Sequence, residues 1–189
     1  MKKEEARAIF KEQRQALTAV EMEKMNDLML IQFQSLELPF IDCLFTYWPI
    51  EENNEPSTHL FTEFLRFRNP GMQVLYPKSD FENKVMRAVL TDIDTPFEKH
   101  EYNIYEPTTD HVIDPLKIDL AFVPLIICDH KGFRVGYGKG FYDRFLVLCR
   151  PECIKIGFSF FDPIPLLEDA SEFDVPLDLC ITPQNVYVF

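Results

Sequence analysis

Four of the six glycines in this sequence fall between positions 132 and 140, with cations interspersed and a carboxylate just beyond. The run reads Asp129-His130-Lys131-Gly132-Phe133-Arg134-Val135-Gly136-Tyr137-Gly138-Lys139-Gly140-Phe141-Tyr142-Asp143-Arg144. Glycines accept positive φ and let main-chain N–H groups close around an anion. Arg134 and Lys139 supply charge for phosphate oxygens. Asp143, in the first turn of a following helix, can hold Mg²⁺. The spacing is not that of a Walker A loop, because Gly140 rather than Ser or Thr follows Lys139, and Phe133 stands where the first glycine belongs. Nor is it the dinucleotide fingerprint, being G-x-G-x-G rather than G-x-G-x-x-G. The alternative is a flexible glycine turn carrying ordinary surface charges.

The charge distribution sharpens the phosphate reading. The chain has 189 residues and a net charge of −12, a poor balance for general nucleic-acid binding. Residues 1–14 nevertheless carry a local +2 and residues 131–144 a local +3. Two positive islands in a negative chain suggest two segments that meet something small and anionic, with solvated faces as the alternative. The five cysteines are odd in number and scattered, which excludes a full disulfide framework and points to reduced thiols and a cytoplasmic location. The longest apolar run, Leu120 to Cys128, contains Pro124 and is too short to span a bilayer. The N-terminus is charged and unlike a signal peptide. No His spacing suits a metal, and Cys149 with Cys153 lacks the remainder of a zinc set.

These residues need a scaffold. Residues 2–17 read as an amphipathic helix with Ala6, Ile9, Phe10, Gln13 and Leu17 near one face. Thr18 and Glu21 form a capping box for a second helix running to about Glu37. A buried strand is predicted over Ile41–Tyr47, an acidic loop over Glu51–Pro56, and a helix over His59–Phe67 capped by Ser57. Strands follow at Met72–Tyr76, closed by Pro77, and at 84–91. Residues 92–115 read as a long loop with little regular structure. Asp119–Cys128 is the most strand-like segment, followed by the glycine loop, a helix from about Gly140 to Cys149 and a strand at Ile154–Phe158. Strand and helix signals alternate, so the fold class is α/β, one domain over 1–189, with a mainly parallel or mixed sheet covered on both faces. The glycine loop then lies at the carboxyl edge, where such sheets bind ligands.

The glycine block, with Val123-Pro124 before it, resembles the signature of the 5-formyltetrahydrofolate cyclo-ligase family. Lys3 and Arg7 with Leu17-Thr18, Tyr47 and Pro49 with Glu55 and Thr58, and Asp174, Leu177 and Asp178 with Thr182 are similar to the family's other blocks, in order. The resemblance implies a three-layer α/β/α sandwich with an N-terminal helical pair. It also implies ATP-dependent closure of 5-formyltetrahydrofolate to 5,10-methenyltetrahydrofolate, with release of ADP and phosphate. Lys3, Arg7 and the stretch Arg134, Val135, Gly136, Tyr137, Gly138, Lys139, Gly140, Phe141 and Tyr142 would contact ATP, with Arg134 and Lys139 catalytic. Ile50, Glu55, Tyr137, Gly138, Lys139, Gly140 and Phe141 would line the folate site. Asp143 and Asp174 would hold Mg²⁺, although a turn cap is an alternative role for Asp174. Phe141 stands where relatives often have Tyr, so a hydroxyl contact is absent there. The partners implied are reduced folate and ATP acting on a monomer, with no nucleic acid or membrane. Two other readings are an ATP-binding sensor without turnover, and a sugar-phosphate isomerase or CoA-transferase-like enzyme on a similar sheet.

Overall fold

The apolar run after Ile41 forms β1 (Cys43–Phe45), whose side chains alternate between the two faces of one large sheet. The structure is a computed structural model and describes residues 1–100 and 102–189. Its helices are α1 (Lys3–Gln15), α2 (Ala19–Gln34), α3 (Thr58–Arg68) and α4 (Phe141–Leu146). The remaining strands are β2 (Gln73–Asp80), β3 (Val85–Thr91), β4 (Phe97–Lys99), β5 (Tyr105–Pro107), β6 (Val112–Ile113) and β7 (Leu120–Phe122). Then come β8 (Ile127–Cys128), β9 (Arg134–Val135), β10 (Ile154–Phe158), β11 (Leu179–Ile181) and β12 (Val186–Val188). Eight strands make the sheet, in the order β12-β11-β10-β7-β1-β2-β3-β6. The strands from β11 to β2 run parallel, while β12, β3 and β6 add antiparallel edges.

Both faces are covered, as the α/β/α expectation requires. Leu44, Leu120, Phe122, Ile156 and Phe158 pack under α2 and α3, where Phe33 meets the rings of Phe61, Phe64, Phe122 and Phe158 at 5.5–5.9 Å. Cys43, Phe45, Leu75 and Ala121 pack under α4 through Phe145 and Leu146. The capping box forms as predicted: Thr18 accepts from the Glu21 N–H, and the Glu21 carboxylate accepts from the Thr18 N–H at 2.8 Å. The two N-terminal helices serve different places. α2 packs against α3 and β11, whereas α1 lies against β8 and β9. Among the described residues, no helix is long and apolar enough to cross a membrane.

Four expectations are corrected. The single strand from Asp119 to Cys128 is two, because Pro124 cannot donate to a ladder. After Phe122 the chain leaves the sheet and pairs β8 with β9 as a hairpin. Pro77 does not close its strand. It lies just past Leu75, the last residue of β2 paired with β1, and β2 continues along β3 to Asp80. Residues 92–115 are not an unstructured loop: they form the β4–β5 hairpin and edge strand β6. The helix after Gly140 stops at Leu146, short of Cys149.

The phenylalanine cluster carries a measurable share of stability. Phe33→Ala, at a site 1% exposed, should cost about 3–5 kcal/mol in urea unfolding. Phe67→Ala, at a site 84% exposed, should change stability by less than about 0.5 kcal/mol.

Candidate active site

Beyond Leu75 the chains of β1 and β2 part, and a cavity of about 360 Å³ occupies the space at the carboxyl ends of the parallel strands. Order reverses at this point, since β1 leads through α3 to β2 on one side while β7 leads on to β10 on the other. Tyr47 and Trp48 past β1, Pro77 and Ser79 on β2, and Pro124 past β7 form its floor. The 92–115 segment supplies a wall through Tyr102, Ile104 and Tyr105. It is fastened to β2 by the Ser79 N–H, which donates to Glu106 at 2.8 Å.

The glycine run divides into two parts with different work. Gly132 sits in the β8–β9 turn at φ +80°, where a Cβ would come within 2.7 Å of the Leu177 carbonyl oxygen and 2.9 Å of the Phe189 ring. The buried Asp129 holds that turn by accepting from Lys131, Phe133 and Leu167 N–H groups. Val135 is likewise in the core, packed with Ala6 and Ile127, and does not line the cavity. Gly136, Tyr137, Gly138, Lys139, Gly140, Phe141, Tyr142 and Asp143 do. None of the main-chain N–H groups from Tyr137 to Asp143 donates a hydrogen bond within the described residues. Gly138 and Gly140, at φ +85° and +65°, turn the backbone of this stretch. These positions are half-buried or exposed and the Phe141 to Asp143 amides belong to the first turn of α4, so the whole row is open to an anion entering the cavity. α4 has only six residues, so these amides matter more than a helix dipole.

The cations come from both predicted islands. Lys3, Arg7, Arg134 and Lys139 all line the cavity. Lys3 Nζ lies 2.5 Å from Asp174, and Arg134 Nη2 lies 2.9 Å from Asp143 while Nη1 donates to the Val175 carbonyl. Arg134 is thus a buried partner of Asp143, not a free cation. Arg7 donates from Nε to the Gly136 carbonyl at 2.9 Å, and Lys139 Nζ stands 4.8 Å over the Tyr102 ring. Neither Arg7 nor Lys139 has a carboxylate partner among the described residues.

The carboxylates separate by environment. Glu55 is buried, which pushes its pKa up against the hydrogen bonds it accepts from Tyr137 and the Ile50 N–H. Ile50, predicted in the same loop, lines the cavity beside it. Burial also keeps the Tyr137 and Tyr142 phenols protonated well above their usual range. Burial opposes ionisation of Asp174 too, but hydrogen bonds from Lys3 and Ser171 outweigh it and hold the carboxyl below its ordinary value. Asp143 makes its bonds through Oδ1 and Asp174 through Oδ2, leaving the second oxygen of each for an ion. No group of three or more His, Cys, Asp or Glu gathers for a metal among the described residues. That donor set fits Mg²⁺, which takes one or two carboxylates and completes its shell with phosphate and water.

Sequence reasoning missed one charged residue altogether. Arg14 is 2% exposed, with Nη1 on the Leu125 carbonyl at 3.1 Å and Nη2 on the Tyr137 hydroxyl at 2.6 Å. The signal was its spacing. Lys3, Arg7 and Arg14 share one stripe of a 3.6-residue helix with Ala6 and Phe10, while Gln13, expected on that face, is exposed.

Known proteins share the fold and much of the sequence. The family model for the 5-formyltetrahydrofolate cyclo-ligase family matches residues 1–183. A 5-formyltetrahydrofolate cyclo-ligase of Mycoplasma pneumoniae is 29% identical over 185 residues, covering 96% of this chain and 98% of that one. The solved 5,10-methenyltetrahydrofolate synthetase from Mycoplasma pneumoniae superimposes with a TM-score of 0.75 at 26% identity, covering 97% of this chain and 99% of the other. The NMR structure of the Aquifex aeolicus 5,10-methenyltetrahydrofolate synthetase gives a TM-score of 0.80 at 28% identity, covering 100% and 93%. With the family model matched over residues 1–183 and the fold shared along nearly the whole length, this chain belongs to the 5-formyltetrahydrofolate cyclo-ligase family.

Proposed function

We propose that the cavity is where this ATP-dependent cyclo-ligase brings 5-formyltetrahydrofolate and ATP together to make 5,10-methenyltetrahydrofolate. The observation that carries the reading is the row of amides from Tyr137 to Asp143, unpaired among the described residues, with Arg7 beside it and Lys139 within it. A triphosphate matches that combination of donors and uncommitted positive charge. The aromatic wall of Tyr47, Trp48 and Tyr105 suits a flat pterin, whose paired N–H donors Glu55 accepts.

The chemistry asks for positioning more than covalent help. The formyl oxygen attacks the γ-phosphorus, and ADP leaves. The resulting phosphorylated formyl carbon is an electrophile that N10 of the same folate attacks. Phosphate departs with the former formyl oxygen, and the N10 proton leaves as the methenyl bridge forms. Lys139 and Arg7 neutralise charge developing on the phosphoryl oxygens, while the amides of Tyr137 to Asp143 orient them. Asp143 and Asp174 would hold Mg²⁺, which when bound screens the phosphate charges. Arg134 fixes the Asp143 carboxylate. We take residues 1–189 as one domain acting as a cytoplasmic monomer. Supporting this, the cavity is lined from both ends of one chain and all five cysteines are free thiols.

Four outcomes test this reading. Pure protein given 5-formyltetrahydrofolate, Mg²⁺ and ATP should yield the methenyl chromophore and one phosphate per turnover; no chromophore with active folate overturns it. Lys139→Ala should lower kcat/KM for ATP about a hundredfold. It should shift stability by less than about 1 kcal/mol. Arg134→Ala should in addition lose about 3 kcal/mol or more of stability, since it leaves Asp143 without its cation. Asp143→Asn should raise the Mg²⁺ concentration needed for half-maximal rate roughly tenfold or more. Normal ATP kinetics in both cation variants would remove the loop assignment.

A further inference from the structure

Arg14 does not line the cavity, yet its guanidinium begins a hydrogen-bond chain that ends on Glu55. A guanidinium only donates. The Tyr137 oxygen therefore accepts from Arg14 and has its single proton left for Glu55 Oε1. Glu55 Oε2 accepts from the Ile50 N–H at 2.7 Å. Both carboxylate oxygens are thereby acceptors, and the polarity of the chain cannot reverse, because Arg14 has no lone pair to offer. The same end of α1 also anchors the loop that carries Glu55. Asn54 Nδ2 donates to the Arg14 carbonyl at 3.0 Å, and Gln15 Nε2 to the Glu52 carbonyl at 2.7 Å.

We infer that Arg14 is a positioning residue of the folate subsite, holding Glu55 through the Tyr137 phenol as a doubly accepting anion for the pterin's N–H donors. This rests on Glu55 being the pterin's partner. The groups facing Glu55 are Arg14 from α1, Tyr137 from the glycine stretch, Tyr142 from α4 and Tyr47 beyond β1. The other charged groups of the cavity are Lys3, Arg7, Arg134, Lys139, Asp143 and Asp174. The three phenols stay neutral, so Arg14 is the charge that opposes the burial of Glu55. With Arg14 removed, burial is opposed only by the hydrogen bonds from Tyr137 and the Ile50 N–H, and Glu55 takes up a proton at a higher pH than in the intact protein. A protonated Glu55 offers a donor where the pterin also offers one. The defect must then appear at low pH and fade as pH rises.

The test is the pH profile of KM for each substrate. For Arg14→Gln, KM for 5-formyltetrahydrofolate should rise roughly tenfold at the acid end of the profile and return toward the wild-type value as pH rises, with KM for ATP unchanged. Arg14→Lys, which keeps the charge, should recover part of the shift. Tyr137→Phe breaks the chain while leaving Arg14 on the Leu125 carbonyl, and must show the same pH-dependent rise if Arg14→Gln does not fold. A rise of equal size at every pH, or an equal rise in KM for ATP, overturns the inference. Glu55→Gln separates it from the reading beneath. If that variant binds folate normally, the pterin assignment fails. If it binds poorly while Arg14→Gln and Tyr137→Phe keep the wild-type profile, only the role of Arg14 fails.

Discussion

The cations of α1 point inward, and the wall that closes the site answers to that constraint. A chain of net charge −12 sets Lys3, Arg7 and Arg14 on one stripe of its first helix. A charge taken from water must be paired or hydrogen-bonded. Lys3 meets Asp174, Arg7 meets the Gly136 carbonyl, and Arg14 meets the Leu125 carbonyl and Tyr137. One helix thus ties the C-terminal segment, the glycine stretch and the β7–β8 connection into one wall. The N-terminus reinforces it, since the Met1 amine is 2.8 Å from Glu168 and the Lys3 N–H 2.8 Å from Asp169.

The two prolines do the complementary work of opening space. Pro77 stands where β2 passes its last β1 partner, and Pro124 where β7 leaves the sheet. Neither can supply a ladder N–H, so the sheet parts there without leaving a donor stranded. The cavity is therefore a consequence of backbone chemistry at two positions.

Much of this was legible in the sequence, and the failures share a cause. Helix α2 was readable because Thr18 and Glu21 form a local cap, and β10 because Ile154, Ile156 and Phe158 recur at every second position. The glycine stretch was readable as an anion site because glycine, charge and position coincide. The division of its glycines was not, because Gly132 answers to Leu177 and Phe189, which are distant in sequence. The β4–β5 hairpin and the short strands β11 and β12 owe their existence to neighbours in the sheet, not to local pattern. Arg14 was missed because a charged residue on an amphipathic helix is ordinarily solvated, and only its register with Lys3 and Arg7 says otherwise. Arg134 was read as supplying charge to phosphate, and its pairing with Asp143 was not visible because sequence cannot show that Asp143 folds back onto it.

The central claim is that the main-chain amides from Tyr137 to Asp143 grip the triphosphate beside the folate. Amide chemical shifts of the ¹⁵N-labelled protein, titrated with Mg²⁺ and a non-hydrolysable ATP analogue, address it directly. The account predicts large, saturable downfield shifts concentrated in that stretch, with smaller ones at Arg7 and Lys3. Saturable shifts gathered on another surface, with the Tyr137 to Asp143 amides unmoved, would contradict it.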